Sequence, residues 1–315
     1  DPVTLETRGR LPHPARLSAH AKVDPRTREL LFFDYQKRPP YLTVGWVGED
    51  GSKVVELPVD EPVFPHDMTF TPGHAIVMAP PVVQSESHAR AGRWGALMDK
   101  TRPFRFFLVP RAGGTPRTFE ASPCYLYHVI NAWESDDGHL VHLVGFRCPE
   151  LFAGIDPDDG PYAVMMANLR LRAQLHRWTF HLRTGQTSET QLDDRCAEFP
   201  TTDDRRLGVP TKFGYAMRIP DTRRVKFDAV LKYDMNDGSL LGAHPFGEGR
   251  SGSEAPFAPT GPAEDEGYLI SFVSDQREGR DEVVVLDAPS MRPVARLALP
   301  HRVPLGFHAC WCPAA

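Results

Sequence analysis

Short apolar runs rich in Val, Phe, Tyr, Leu and Thr recur along the whole chain, and each is ended by Asp, Gly or Pro. Glu29–Tyr35, Tyr41–Val47, Phe104–Val109, Cys124–Ala132 and Glu282–Leu286 are examples. Such side chains suit a pleated, half-buried surface, and the 31 prolines and 25 glycines supply frequent turns. Four stretches read strand, turn, strand: Ala21–Tyr35, Arg177–Gln191, Leu231–Phe246 and Val283–Leu299. In the third, Asp237-Gly238 is a strong hairpin signal. Helical periodicity is nearly absent. Tyr162–Leu175 is the best candidate and reads as a loop with one helical turn leading into a strand. Arg250–Pro262 reads as a long loop. Hairpins spaced by tens of residues suggest the blades of a propeller, although a sandwich or barrel gives similar local signals. No linker divides the chain, so residues 1–315 are expected to form one all-β domain.

Composition narrows the functional classes. The 315 residues are 41% hydrophobic and 24% charged, with a net charge of −5. The charge runs, Asp203-Asp204-Arg205-Arg206 and Thr222-Arg223-Arg224, are short or mixed in sign. They read as solvated surface, so no nucleic-acid partner is expected. The five cysteines are odd in number and contain no C-x-x-C pair, which argues against a disulfide framework and a thiolate zinc site. Cys310 and Cys312 share a face without completing a four-ligand set. No apolar run approaches the roughly 18–20 residues of a transmembrane helix. Reduced thiols point to a cytoplasmic location, with peripheral membrane contact left open.

Four of the 13 histidines stand in distinctive settings. They are His20 in SAHAKVDP, His66 in FPHDMTFT, His128 in YLYHVINAWE and His308 in PLGFHACWCP. Each lies in or beside a β-like run, and they are spread from one end of the chain to the other. Ligating side chains at the edges of separate strands can converge on one axis in a radial fold. Taken singly, a histidine in an apolar strand is more often structural. His13, His74, His88, His139, His142, His176, His181, His244 and His301 are read that way. His139 and His142 form an HxxH, but on a strand that spacing points them to opposite faces.

The four contexts, in this order, resemble the carotenoid cleavage oxygenase family. The resemblance extends to Glu198–Gly208 (EFP, a charged stretch, then Gly), to Glu264–Gly267 before YLISFV, and to the closing stretch Val283–Pro313. It implies a seven-bladed β-propeller with Fe2+ held on the axis by His20, His66, His128 and His308. It also implies that Glu198 hydrogen-bonds His128 and that Glu264 pairs with His308. Glu134 in NAWE also follows the family pattern but is read as structural. Four neutral imidazoles leave the metal's full charge and leave positions open, while each ring needs a partner for its other nitrogen. Two departures stand out. Ala309 replaces the Gly that usually follows the last histidine. Family members also carry a long segment ahead of the part that matches here, supplying early blades, part of the substrate tunnel and a carboxylate for the histidine matching His66. The chain is therefore expected to lack the N-terminal part of the ring.

The activity so implied is non-haem Fe(II) dioxygenation. A conjugated C=C bond of a carotenoid or apocarotenoid is cleaved by O2 into two carbonyl products. Cleavage of a stilbenoid of the lignostilbene type is the alternative within the family. A non-catalytic propeller remnant, or a scaffold for a protein partner, is the alternative outside it. Phe64, which lies two residues before His66 and on a strand would share its face, and Tyr127 and Phe307, directly before His128 and His308, are candidate contacts for an apolar substrate.

Overall fold

A computed structural model of the chain describes residues 1, 3–9, 16–49, 51–90, 96–151, 156–222, 226–304 and 306–313. His13, Arg223 and Arg224 lie outside the described residues. Strands dominate, and successive antiparallel sheets follow one another along the chain. The first blade runs β1 (Lys22–Val23), β2 (Leu30–Tyr35), β3 (Leu42–Gly48) and β4 (Gly51–Glu56). The second contains β5 (Met68–Phe70) and β6 (His74–Ala79). A small hairpin of β7 (Val82–Gln84) and β8 (Ala96–Met98) then leads to β9 (Phe104–Pro110) and β10 (Arg117–Ala121), which complete the blade in the order β5-β6-β9-β10.

The third blade is β11 (Tyr125–Glu134), β12 (Leu140–Cys148), β13 (Gln174–His181) and the first part of β14 (Thr187–Thr201). At 15 residues, β14 serves two blades. Its early residues pair with β13, while Ala197, Glu198 and Thr201 pair with β15 (Phe213–Arg218). That end of β14 opens the fourth blade, followed by β16 (Ala229–Asp234) and β17 (Leu240–Pro245). In the fifth, β18 (Arg250–Gly252) and β19 (Phe257–Pro259) both lie along β20 (Gly267–Asp275), followed by β21 (Arg280–Asp287) and β22 (Arg292–Ala298). Five blades are thus formed by the described residues.

The period-two pattern of the strands explains the stacking. Alternate residues of one strand face opposite sides of its sheet, and both sides here are apolar. On β6, Ala75, Val77 and Ala79 join Phe33, Val44 and Trp46 in the core between the first two blades. Ile76 and Met78 turn the other way, toward Leu143, Trp178 and Phe180 of the third blade. Val144, Phe146 and Leu175 meet Ala216, Leu231 and Tyr233 between the third and fourth blades. Tyr215, Met217 and Val230 meet Leu269, Val284 and Leu286 between the fourth and fifth. Burying each such large side chain is worth about 1.5–3 kcal/mol.

Local chemistry fixes the connections. Gly238, at φ +80°, makes the β16–β17 turn, where a Cβ would sit 2.5 Å from Leu192 Cβ. Glu134, at the end of β11, accepts from Thr71 Oγ1, Gly73 N and His74 Nδ1, and so bolts the third blade to the β5–β6 turn. The His74 hydrogen bond leads the effects that hold the Glu134 carboxyl down at about pKa 2. His142 and His181 bond to Thr179 and Ser188 hydroxyls in the same structural manner. Cys124, Cys148, Cys196, Cys310 and Cys312 are all free thiols.

Three sequence expectations about the fold need correction. Arg250–Pro262 is not a loop, since it contributes β18 and β19, a broken opening strand too short to show alternation. In Asp203–Arg206, Asp203 is buried and gripped by the Arg205 guanidinium rather than solvated. Tyr162–Leu175 contains more helix than one turn, with a helix over Ala163–Leu169 before β13.

One face of the fifth blade stays open. Register places Tyr268, Ile270 and Phe272 beside Val283, Val285, Ala295 and Leu297 on one side of the sheet. Tyr268, Phe272 and Leu297 are 38%, 42% and 57% exposed. A contiguous apolar sheet face of this kind promotes association. The 315-residue chain made alone is expected to self-associate, and replacing Tyr268, Phe272 and Leu297 by Thr is expected to reduce light scattering at equal concentration. Equal scattering from both proteins would contradict this.

Candidate metal centre

The histidine cluster is assembled by the opening segments of the blades. His20 lies two residues before β1 and His66 two residues before β5, while His128 lies within β11. His308 follows β22, where the chain returns from the rim and Glu254 N donates to Phe307 O. One nitrogen from each of the four rings lies within 4.8 Å of the others. His20 Nε2 and His66 Nε2 are 3.2 Å apart. Imidazole–metal bonds of about 2.0–2.2 Å place neighbouring nitrogens about 3 Å apart and opposite ones somewhat over 4 Å, so the set is compatible with one shared ion.

The third blade bends to present its ligand. Pairing of β11 with β12 shifts register on both sides of Val129, giving two bulges, and His128 lies in the first of them. Bulges re-aim a side chain next to a site. The bulged strand presses on Gly145, where a Cβ would stand 2.9 Å from His128 O and 3.1 Å from Leu126 Cδ1.

His128 Nδ1 donates to Glu198 Oε2 at 2.6 Å. Its Nε2 is buried with no hydrogen-bond partner. An imidazole that donates through Nδ1 to a carboxylate offers the lone pair of Nε2, and an orphaned buried acceptor inside a ring of three other imidazoles suits a metal ion. The same Glu198 oxygen accepts Phe199 N at 2.6 Å. Phe199 has φ +53°, uncommon for an aromatic residue, and with Pro200 it forms a bulge opposite Ala216. Its ring packs against His128, His308, Phe307 and Phe227, with centroids 4.8–5.5 Å away.

His308 takes a different carboxylate from the expected one. Glu254 Oε2 lies 3.2 Å from His308 Nδ1 and accepts Ala309 N at 2.8 Å. Glu264 instead accepts from Thr211 Oγ1, Lys212 N and Phe213 N, and pairs with Arg206. The reason lies in the fifth blade. Glu254 sits in the break between β18 and β19, beside the returning C-terminal segment, whereas Glu264 follows β19 and braces the entry to β15. Glu254 was missed because its segment reads as a loop. Phe199 was missed because nothing in EFP announces a left-handed backbone.

Among the proposed substrate contacts, Tyr127 has its ring 5.1 Å from that of His66. Phe307 is 45% exposed and packs on Phe199. Phe64 accepts a hydrogen bond from Tyr125 on its carbonyl and lines a surface hollow with Tyr35, Pro62 and Val63. The shared-face argument for Phe64 fails because β5 begins only at Met68. A further cavity of about 160 Å³ lies beside the histidines, lined by Lys22, Val129, Thr201, Asp204, Glu254 and Trp311 among others.

Burial sets the charge state of the rings. It pulls His20 down to about pKa 4 and His66 to about 3, so both are neutral ligands-in-waiting near pH 7. Burial also acts to lower His128, but the charge and hydrogen bond of Glu198 outweigh it and hold His128 above its ordinary value.

Comparison with known proteins agrees with the fold and the cluster. The family described as "Retinal pigment epithelial membrane protein" matches residues 1–313, and the chain belongs to that family. A carotenoid 9,10(9′,10′)-cleavage dioxygenase 1 of Arabidopsis thaliana is 32% identical over 97% of this chain and 60% of its own length. A carotenoid 9,10(9′,10′)-cleavage dioxygenase of Crocus sativus is 32% identical with the same coverage. The chain thus spans about three fifths of the length of these relatives. Among solved structures, a variant of the Synechocystis apocarotenoid oxygenase superposes with a TM-score of 0.81 at 24% identity, over 95% of this chain and 65% of that one. The Pseudomonas brassicacearum lignostilbene dioxygenase gives 0.78 at 24% identity, over 95% of this chain and 66% of that one. The fold is the β-propeller of carotenoid oxygenases. No helix among the described residues is long and apolar enough to cross a membrane.

Two outcomes test this geometry. Gly145→Ala forces a Cβ against the His128 backbone, and is expected to lower stability by about 1–3 kcal/mol and to weaken Co2+ binding. Wild-type melting and affinity would contradict it. Metal binding should also depend on pH through His128. A raised imidazole pKa keeps the proton on below it, and the proton must leave for ligation. Co2+ affinity is therefore expected to climb with pH and to flatten above the His128 pKa, while His20 and His66 add no slope near neutrality. In Glu198→Gln the rise should move to lower pH, and a pH-independent affinity between pH 5.5 and 8.5 would count against this scheme.

Proposed function

We propose that the chain carries the iron centre of a dioxygenase that cleaves a conjugated C=C bond of a carotenoid or apocarotenoid. His20, His66, His128 and His308 are the ligands, and Fe2+ is the metal. The observation that carries this reading is the convergence of the four imidazoles around the unpartnered His128 Nε2. Four neutral nitrogen donors leave coordination positions open and suit a borderline divalent metal such as ferrous iron. Bound there, ferrous iron supplies the site and the electrons for dioxygen activation. The net reaction inserts both atoms of O2 into the severed double bond, one into each carbonyl product.

The protein's own residues do the rest. Glu198 and Glu254 hold the Nδ1 atoms of His128 and His308, which fixes each ring's tautomer and aim. The Phe199 ring forms an apolar wall against His128 and His308 and keeps water from that side of the centre. Tyr127 and Phe307 extend this wall toward the flat, apolar face of a polyene. Phe64, turned toward Tyr35, is kept as a contact only for the distal end of a long substrate.

The test is to load the purified chain with Fe2+ under anaerobic conditions, admit O2, and assay an apocarotenal and a phenolic stilbene for aldehyde products by mass spectrometry. Cleavage of the apocarotenal, lost in His128→Ala, is expected. Cleavage of the stilbene alone would move the substrate class to stilbenoids. No iron uptake, or cleavage undiminished in His128→Ala, would overturn the reading in favour of a non-catalytic propeller.

A further inference from the structure

Asp67 directly follows His66 and is 1% exposed, yet among the described residues its carboxylate hydrogen-bonds none of the four imidazoles. Its bonds go to their chain neighbours. Asp67 Oδ1 lies 2.9 Å from Lys22 Nζ and accepts Met68 N at 2.7 Å. Asp67 Oδ2 accepts Val129 N at 2.9 Å. Lys22 stands two residues after His20, and Val129 one residue after His128. One carboxylate thus joins the opening segments of the first, second and third blades at the points where each carries its histidine. A buried carboxylate is costly unless its charge is paired and its oxygens are hydrogen-bonded. Any rearrangement that separates the three segments would leave this one orphaned.

The four histidines differ in how their rings are held. His128 and His308 each have a carboxylate on Nδ1. For His20 and His66 no such carboxylate occurs among the described residues. The two rings without one belong to the segments joined by the Lys22–Asp67 pair. We infer that Asp67, with Lys22, is a positioning residue pair that fixes the relative placement of His20, His66 and His128 through their backbones. The pair acts through the histidines.

This inference rests on the metal-centre reading above, and the experiment separates the two. Co2+ is titrated into the metal-free chain and into Asp67→Asn and Lys22→Met, recording affinity, the visible absorption of the bound ion and the melting temperature without metal. Asp67→Asn is expected to bind Co2+ roughly 10–100-fold more weakly, the range seen for residues that support metal ligands, with altered band positions. Lys22→Met should change both readouts in the same direction by a smaller factor. Should Asp67→Asn fail to fold, Lys22→Met decides. Lower melting temperatures with unchanged affinity and spectrum would show a merely structural brace and overturn the inference. A wild-type chain that binds no Co2+ would overturn the metal centre and this inference together.

Discussion

A β-sheet that is apolar on both faces has to be covered on both. In this chain nearly every blade meets that condition, and the interior strands carry residues of two different cores in strict alternation, as Ile76 and Val77 do on β6. Stacking blades side by side around an axis satisfies it without helices. The strand that opens each blade then lies where neighbouring blades come closest, and a side chain placed at its start or within it points into a space shared by all. The histidine cluster is a consequence of that placement. No single blade contains the cluster, and four separate segments have to be brought together before it exists.

Bringing four imidazoles to within 4.8 Å of one another is unfavourable for protonated rings. Burial and mutual repulsion therefore hold His20 and His66 neutral. His128 is the exception, because Glu198 is fully buried against it. This contrast divides the work. Neutral rings supply lone pairs, and buried carboxylates fix the direction in which the lone pairs point. Glu198, Glu254 and Asp67 share that second task, two through imidazole Nδ1 atoms and one through the main chain. Backbone irregularities around β11 and β14 fit the same scheme. The bulges at Tyr127–Ile130 and Phe199–Pro200 depart from regular pairing at the residues that meet the cluster.

Much of this was legible in the sequence. Alternation and Asp-Gly or Pro turns gave away the strands, and the four histidine contexts marked the residues that the fold brings together. Glu198 was legible because it is joined to a recognisable EFP motif, and the structure places it against His128. The carboxylate beside His308 was not. Glu254 and Glu264 are ten positions apart in a Pro- and Gly-rich stretch, and choosing between them requires knowing that the opening strand of the fifth blade is broken in two. A three-residue strand shows no usable period. The face that Phe64 was expected to share with His66 failed for a related reason, since alternation was applied to residues ahead of β5. Phe199 and Asp67 were hidden more deeply. A positive φ on a phenylalanine, or a carboxylate shared among three blades, exists only once distant segments have been packed together.

The most direct measurement of the central claim is X-ray absorption at the iron edge of the chain reconstituted with Fe2+, with iron content determined on the same sample. The expected result is one iron per chain whose nearest protein atoms are nitrogens at about 2.0–2.2 Å, with the outer-ring scattering of four imidazoles. Fewer imidazoles, a carboxylate or thiolate in direct contact with the metal, or no bound iron would contradict a centre built from His20, His66, His128 and His308.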